Sequence, residues 1–433
     1  MAAAPSPARH PRPRPRRRSA RDRAVASTLL CLAIVALAPT AGATIERTTF
    51  LTDLAFPTNL AFAPDGRLFF TEKNTGNVRV VSASGRLEPE PFVRFPVAND
   101  GETGMLGIAL HPAFDREPWV YVYFSDAASG NNVLVRVRDD GGRAGERQTL
   151  GSFLPWSAGY HNGGDLLFGG DGRLYVAVGE AHEAERAQDP GDVGGKILRL
   201  EPDGSVPRDN PFAGSPAFTI GHRNSFGLCL DPRTGDVWET ENGPDVDDEV
   251  NVLRAGANYG WPEVTGNSGG RFEDPVAIFP SPEALTGCAV WRGDLWFGAA
   301  NTGVVYRMPT DRRGVAPQRV EAFDGPVIDL SVGPDDALFV ATSSAIVRLA
   351  DDEPAPTRSA SPTDAAGPTG EPTDAPPVVM PERGGSDDGA SAAVPVVAAV
   401  ILAAALWVRL RAGRTLRRAA EHRNPDGGEP ADR

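Results

Sequence analysis

The chain has 433 residues, of which 43 are Lys or Arg and 57 are Asp or Glu, and its formal net charge is −14. That length accommodates one large domain or two ordinary ones. The first 43 residues carry +7 and residues 409–433 carry about +3, which leaves about −24 on the part between them. Such an acidic part is a poor candidate for nucleic-acid binding, which depends on neutralising phosphates.

The first 43 residues have the pattern of a secretory signal. Eight arginines and one aspartate precede an apolar run over 24–37, and the small residues AGA follow at 41–43. This order predicts a signal peptide over residues 1–43, cleaved after Ala43, and therefore an exported protein. Three consecutive arginines at 16–18 leave twin-arginine export open as an alternative route, although the usual Phe-Leu context is missing.

Residues 44–350 contain a unit that recurs six times. Each unit has an apolar strand, a turn such as Pro-Asp-Gly, a second apolar strand, a polar turn and a third strand that ends in Arg plus aliphatic residues. LAFAPDGRLFFTEKNTGNVRVV and LSVGPDDALFVATSSAIVRL are two instances. Asp-Gly turns between alternating strands are typical of hairpins. The repeat predicts an all-β fold, a six-bladed β-propeller, because a β-sandwich would not repeat so regularly.

The third unit contains a candidate acid–base pair. His161 lies in GYHNGGDLLF, where two glycines allow close approach of the backbone, and Glu180 ends the partner strand LYVAVGE. A neutral imidazole at a channel mouth can act as general base for a hydroxyl proton, and a carboxylate can orient it. The alternative is a histidine that caps a turn and a glutamate that is a solvated strand end.

The fourth unit begins with GHRN at 221–224. Arg223 offers a bidentate donor pair for a carboxylate or an ortho-quinone oxygen, and Asn224 offers both a donor and an acceptor. Alternatively, the arginine is structural and ties two blades together. We interpret His222 as a structural contact rather than a ligand.

An acidic turn follows in the same unit, as ENGPDVDDE at 241–249. Oxygens from this segment, including the carbonyls of Gly243 and Pro244, could coordinate a hard cation such as Ca²⁺. The spacing is not that of an EF-hand loop, and an acidic turn is more often only solvated. Cys229 and Cys288 both lie in apolar strand contexts, where they could form a disulfide in an exported protein or remain two buried thiols.

The C-terminal part predicts a membrane anchor. Residues 351–389 are rich in Pro, Thr, Ser, Asp and Gly, which is typical of a disordered linker. Residues 390–408 have no charge and are about long enough for a transmembrane helix, and the basic tail over 409–433 would then lie in the cytoplasm. An alanine-rich soluble helix is the alternative.

Five ordered blocks together resemble the soluble glucose/sorbosone dehydrogenase family: GETGMLGIALHPAF, HNGGDLLFGGDGRLY, GGKILRLEPDGSVPRDNPF, GHRNSFGL and ENGPDVDDEVNVLRAGANYGWP. The resemblance implies a six-bladed propeller that uses pyrroloquinoline quinone (PQQ). It implies that His161, with Glu180 as its acidic partner, removes the sugar hydroxyl proton while hydride moves to C5 of the quinone.

The same resemblance assigns the remaining site residues. Arg223 and Asn224 would contact the quinone oxygens, and the carbonyls of Gly243 and Pro244 would complete a Ca²⁺ site that bridges protein and cofactor. Glu102, in DGETG, falls where the glucose enzyme has a glutamine facing the active site.

The chain departs from the family where the cofactor's carboxylates are held. The position of a lysine in the glucose enzyme corresponds best to Asn301, and the positions of two arginines fall near Pro326 and Ile328. Only two lysines, Lys73 and Lys196, are present in the whole chain. Each lost charge-assisted contact would cost about 1.5–3 kcal/mol, so weak quinone binding is expected. Insertions that shape the sugar pocket also look short, which disfavours glucose itself.

Three functional hypotheses follow. The first is an exported, membrane-anchored PQQ-dependent dehydrogenase that oxidises an aldose or a related polyol and passes electrons to an acceptor. The second is a non-catalytic binding or adhesion propeller with a structural Ca²⁺. The third, a propeller hydrolase of the lactonase type, would need a denser ring of inward carboxylates than this sequence offers.

Overall fold

The computed structural model describes residues 45–156, 159–311 and 315–351. The predicted signal peptide, membrane span and basic tail lie outside these residues, as does the predicted linker apart from its first residue. Within the described ranges, no helix combines the length and apolar character needed to cross a membrane.

In the described residues, twenty-four strands form six four-stranded antiparallel sheets, and the sequence repeat predicts this number of sheets. The first three sheets contain, in order, β2 (Pro57–Phe62), β3 (Leu68–Glu72), β4 (Asn77–Val81) and β5 (Val93–Arg94); β6 (Met105–Leu110), β7 (Trp119–Ser125), β8 (Asn131–Asp139) and β9 (Ala144–Pro155); β10 (Leu166–Phe168), β11 (Leu174–Val178), β12 (Lys196–Leu200) and β13 (Ala217–Ile220). The next two contain β14 (Ser225–Leu230), β15 (Val237–Glu241), β16 (Asp248–Val252) and β17 (Ala277–Phe279); β18 (Leu285–Trp291), β19 (Asp294–Ala299), β20 (Val304–Pro309) and β21 (Gln318–Ala322).

The sixth sheet closes the ring with strands from both ends of the domain. It contains β22 (Val327–Val332), β23 (Leu338–Thr342), β24 (Ile346–Asp351) and, as its outermost strand, β1 (Ile45–Leu51). β1 pairs antiparallel with β24, with Arg47 opposite Leu349. The repeat did not reveal this pairing, because β1 precedes the first unit and has a mostly exposed, weakly patterned sequence.

The hydrophobic core is divided among the interfaces between neighbouring blades. Six clusters of buried side chains in the described part of the chain each draw residues from two adjacent sheets, for example Phe69 with Val122 and Trp238 with Phe297. The second strand of a blade is covered on both faces, so β11 (LYVAV) is buried at every residue. This explains why these strands are continuous apolar runs rather than alternating ones.

Polar side chains also link the innermost strands across the channel. Asn59 on β2 donates to Asp165 Oδ1 at 3.0 Å and accepts from the backbone N of Ile108 at 2.8 Å. Asp329 on β22 accepts from the backbone N of Leu60 at 2.8 Å. Burial raises the pKa of Asp165 to about 7. These contacts tie the first blade to the second, third and sixth.

Cys229 and Cys288 form a disulfide, with Cα atoms 5.7 Å apart. Because β14 and β18 are the innermost strands of the fourth and fifth blades, the bond joins two neighbouring sheets. Of the two alternatives left open by the sequence, the structure has the disulfide.

Strand direction places the predicted site residues at one end of the propeller. In an antiparallel sheet, the start of the innermost strand and the end of the second strand lie at the same edge. The eight residues assigned to the site all occupy such positions: Glu102, His161, Glu180, Arg223, Asn224, Gly243, Pro244 and Asn301.

Candidate active site

His161 and Glu180 form a buried pair. Nδ1 of the imidazole lies 2.8 Å from each carboxylate oxygen, and the two side chains are only 5% and 3% exposed. We assign the proton to Nδ1, since a carboxylate can only accept it, which leaves the lone pair of Nε2 available. No hydrogen bond joins Nε2 to another of the described residues. Glu180 is therefore not a solvated strand end, and the pair has the arrangement of an oriented general base.

The backbone around this pair is closely packed. Glu180 donates its N–H to the carbonyl of Arg223 at 3.0 Å, and Ala181 donates to the carbonyl of His161 at 3.2 Å. A Cβ added at Gly179 would lie 2.1 Å from the His161 carbonyl oxygen, so only glycine fits there. The glycine thus brings two strand ends into contact and sets the distance between base and carboxylate.

His182 is a site residue that the sequence analysis missed. Its ring stacks on His161 with centroids 4.1 Å apart, and its backbone N donates to Glu180 Oε2 at 2.7 Å. Burial lowers its pKa, and the neighbouring His161 acts in the same direction. The residue lies in a loop without strand periodicity, so the only signal in the sequence was its closeness to Glu180.

Glu102 and Asn224 hold the base from two other blades. Glu102 Oε2 accepts from the backbone N of His161 at 2.8 Å and from Asn224 Nδ2 at 3.1 Å. Asn224 Oδ1 in turn accepts from the backbone N of Gly163 at 3.2 Å. The structure therefore brings predicted residues of the second, third and fourth blades into one hydrogen-bonded network, in which Glu102 and Asn224 position the His161 segment.

Arg223 contacts the turn that was predicted to bind calcium. Its Nη1 donates to the carbonyls of Asn242 at 3.1 Å and Gly243 at 2.9 Å, and its guanidinium lies 5.5 Å from the ring centre of Trp261. Burial lowers the pKa of Arg223, while Glu180 and other carboxylates oppose that effect. The hydrogen bonds of the guanidinium lie within the fourth blade, while its charge also interacts with Glu180 of the third blade and Glu102 of the second.

A small cavity of about 10 Å³ lies beside this arginine. Its lining includes Arg223, Gly243 and three acidic residues, Glu241, Asp247 and Glu249. Burial raises the pKa of Glu241 to about 7 and that of Glu249 to about 8. The volume matches one water-sized sphere, so the cavity can accommodate a single small occupant among carboxylate oxygens.

The acidic turn is only partly solvated. Asp248 is buried; its Oδ1 accepts from the backbone N of Gly243 at 2.9 Å, and its Oδ2 accepts from the backbone N of Glu283 and Ala284. It therefore links the fourth blade to the fifth. Pro244 is half-buried beside it.

His222 lies behind the site in a second buried cluster. Its Nδ1 is 2.9 Å from Glu241 Oε2, its Nε2 is 2.8 Å from Thr219 Oγ1, and its ring stacks on Tyr259. Potential ligand atoms of His222, Glu239 and Glu241 lie within 4.8 Å of one another. Burial lowers the pKa of His222 to about 4. These contacts bury His222 completely, and its interpretation as a structural contact rather than a ligand stays a prediction.

Asn301 is separate from this network. It is exposed in the loop after β19, and its Nδ2 donates to the carbonyl of Pro282 at 3.0 Å. Among the described residues, no hydrogen bond joins it to the other predicted site residues. Pro326 and Ile328, at the start of β22, add no charge to this end of the propeller.

Comparison with known proteins gives the same family as the sequence blocks. The Glucose / Sorbosone dehydrogenase family matches residues 54–350. Aldose sugar dehydrogenase YliI of Escherichia coli (strain K12) is 30% identical over 350 residues, covering 72% of this chain and 94% of that protein. Quinoprotein glucose dehydrogenase B of Acinetobacter calcoaceticus is 31% identical over 278 residues, or 55% of this chain and 58% of that one.

A solved structure extends the likeness to three dimensions. The PQQ-bound form of the aldose sugar dehydrogenase from Streptomyces coelicolor is 33% identical, with a TM-score of 0.66, covering 72% of this chain and 99% of that one. The family match, the propeller and the ordered site residues agree with one another. This chain therefore belongs to the Glucose / Sorbosone dehydrogenase family of oxidoreductases.

Proposed function

We propose that this protein oxidises a hydroxyl group of an aldose or a related polyol, with PQQ as the cofactor. The observation that carries the proposal is the buried His161–Glu180 pair, whose Nε2 is free among the described residues. The family membership and the PQQ-bound relative from Streptomyces coelicolor support the same reaction class.

In this proposal, His161 Nε2 takes the proton of the substrate hydroxyl. The imidazolium that forms is stabilised by the Glu180 carboxylate, 2.8 Å from Nδ1. Because both side chains are buried, water screens this charge interaction only weakly. The bound quinone would be the two-electron acceptor for the hydride, which leaves the carbon that bears this hydroxyl.

The residues present fit the reactive side of the quinone. Arg223, Asn224 and Glu102 surround the base and provide charged and polar groups at the channel mouth. Gly243 and Pro244, with the carboxylates of the neighbouring cavity, would hold Ca²⁺, which would polarise quinone oxygens. Support for a cation comes from Glu241 and Glu249, two buried carboxyls with raised pKa values that line one small cavity.

We also propose that the enzyme works outside the cytoplasm on a membrane tether. The support is the sequence pattern alone: the leader over 1–43, the linker over 351–389 and the uncharged segment over 390–408 followed by arginines. Protease treatment of intact cells should release the propeller if this topology holds, whereas protection of the propeller would argue for a different location.

The test of the reaction uses the full chain reconstituted with PQQ and Ca²⁺. Reduction of an artificial electron acceptor is measured across a panel of aldoses and polyols. His161→Ala should abolish turnover while the quinone absorbance change on binding remains. His111→Ala is the matched control, because His111 lies at the opposite end, in the β6–β7 loop, where its Nδ1 accepts from the backbone N of Ala113. Equal turnover of the His161 variant and the unchanged protein would refute the proposal.

A non-catalytic binding propeller is the second candidate, and the neutral residues at Asn301, Pro326 and Ile328 favour it. This candidate predicts that Ca²⁺ raises the melting temperature and that PQQ has no effect on it. A rise with PQQ, together with dye reduction, would reject the candidate.

A further inference from the structure

Lys73 is a buried lysine at the same end of the propeller as His161. It follows directly after β3, where it is 7% exposed. Its backbone N donates to the carbonyl of Phe56 at 2.9 Å, and its carbonyl accepts from the backbone N of Met105 at 3.0 Å. These two bonds fix Lys73 between the starts of the innermost strands of the first and second blades.

The side chain of Lys73 passes over the turn that contains Glu102. A Cβ built on Gly104 would lie 2.6 Å from Lys73 Cγ, so the missing side chain at Gly104 leaves the space that the lysine occupies. Burial lowers the pKa of Lys73 to about 8, and the charges of Glu102 and Asp100 oppose this effect. The ammonium group therefore lies within electrostatic reach of the carboxylate that also contacts His161 and Asn224.

In the described part of the chain, no hydrogen bond or ion pair joins Lys73 Nζ to another residue, and the atom lies 6.0 Å from the ring centre of Phe56. The other lysine differs. Lys196 Nζ donates to the carbonyls of Arg186 at 2.6 Å, Gly194 at 2.7 Å and Ala187 at 3.1 Å. Lys196 is thus satisfied by its own blade, whereas Lys73 has three donors to offer a ligand.

We propose that the ammonium group of Lys73 binds a carboxylate of the quinone cofactor, replacing the cations that are missing at Asn301, Pro326 and Ile328. This inference rests on the proposed function. A polycarboxylate ligand entering this end meets the negative charges of Glu102 and Glu180, so it needs a compensating cation.

The family resemblance assigns Arg223 to the quinone oxygens, and its Nη1 already donates to the carbonyls of Asn242 and Gly243, so the carboxylates still need a cation of their own. An ammonium group without a hydrogen-bond acceptor in the described part of the chain is expected to form a strong charge-assisted hydrogen bond with a carboxylate. Lys73 is placed on the first blade rather than on the fifth or sixth, so the cofactor's carboxylates would be anchored from a different side of the channel.

The test compares two quinones on the full-length protein produced without cofactor. PQQ carries carboxylates, whereas 1,10-phenanthroline-5,6-dione is an ortho-quinone without them; binding of each is followed by quenching of tryptophan fluorescence. Lys73→Gln should weaken PQQ binding by about 10-fold or more, the loss expected for one charge-assisted hydrogen bond. The same variant should bind the dione as the unchanged protein does, and Lys73→Arg should keep most of the PQQ affinity.

Arg94→Gln is the matched control, because it removes an exposed cation from the same blade, where Arg94 Nε donates to the carbonyl of Thr75 at 3.0 Å. This control should change neither affinity. Equal PQQ affinity of Lys73→Gln and the unchanged protein would overturn the inference while leaving the proposed function intact. Equal weakening of both quinones would overturn it too, because the lysine would then be structural. Failure of the unchanged protein to bind either quinone would remove the proposed function and the inference together.

A second measurement uses the unchanged protein, so it does not require any variant to fold. With isotope-labelled lysine, each of the two lysines in the chain gives its own side-chain ammonium signal in an NMR spectrum. PQQ should raise the apparent pKa of Lys73 above its free value and leave Lys196 unchanged, and the dione should raise neither. An unchanged Lys73 titration at saturating PQQ would contradict the proposed contact.

Discussion

The His161–Glu180 pair allows a quantitative test of how the base is activated. In Glu180→Gln, the amide keeps the shape of the carboxylate and can still accept from Nδ1, 2.8 Å away, but the negative charge is lost. A hydrogen bond to a charged partner contributes about 1.5–3 kcal/mol, and here it acts on the imidazolium that forms during proton abstraction. Since a factor of ten in rate corresponds to about 1.36 kcal/mol, kcat/KM should fall about 10- to 150-fold.

The assay is steady-state dye reduction with the reconstituted full chain, with substrate varied so that kcat and kcat/KM are separated. The loss should appear mainly in kcat, because the charge interaction strengthens only as the imidazolium forms. Glu183→Gln is the control on the same loop, where Glu183 is 65% exposed and pairs with Arg186. A value of kcat/KM for Glu180→Gln within about threefold of the unchanged protein would show that the carboxylate charge does not assist the base.

Three further predictions concern packing, cross-linking and pH. Gly179→Ala should abolish activity and lower the melting temperature, because its Cβ would lie 2.1 Å from a carbonyl oxygen of the base, whereas Gly170→Ala, with nothing within 4 Å, should be tolerated in both assays. Replacing Cys229 and Cys288 by Ala should reduce the free energy of unfolding by about 4 kcal/mol, as expected for the loop between them, and denaturant titration would detect this; equal stability with and without reductant would contradict it. Burial raises the pKa of Asp165 from 3.8 to about 7, so protonated Asp165 stabilises the fold fully below the unfolded pKa, and this stabilisation is lost as pH rises through 7. Between pH 5 and 8, the free energy of unfolding from denaturant titration should therefore decline less steeply for Asp165→Asn than for the unchanged protein. Identical slopes would refute this.

Much of the site could be predicted because its residues stand at strand ends of a repeat. His161 lies in the segment before the innermost strand of one blade and Arg223 in the segment before that of the next, so topology alone puts them at one edge. Glu180 could be paired with His161 by the same reasoning, and the structure brings the two into contact. Asn301 also lies at this end, yet its side chain bonds to Pro282 rather than to the site network, which no strand position could indicate.

Other contacts could be identified only in the folded chain. His182 stacks on His161 through a loop without periodicity, and the two cysteines are 59 residues apart in sequence. The sequence did not indicate a role for Lys73 at the site, because a lysine after a strand is usually solvated. Only the packing of two blades around it shows that it is buried.

The sequence by itself determined the all-β class, the number of blades and the family, because apolar runs, Asp-Gly turns and ordered motifs are local properties of a repeating unit. Only the tertiary structure decided how β1 closes the ring with β24, which charges are buried at the channel mouth and which donors remain unpaired. Those features depend on contacts between residues far apart in the chain, and such contacts form only when six sheets pack around a common axis.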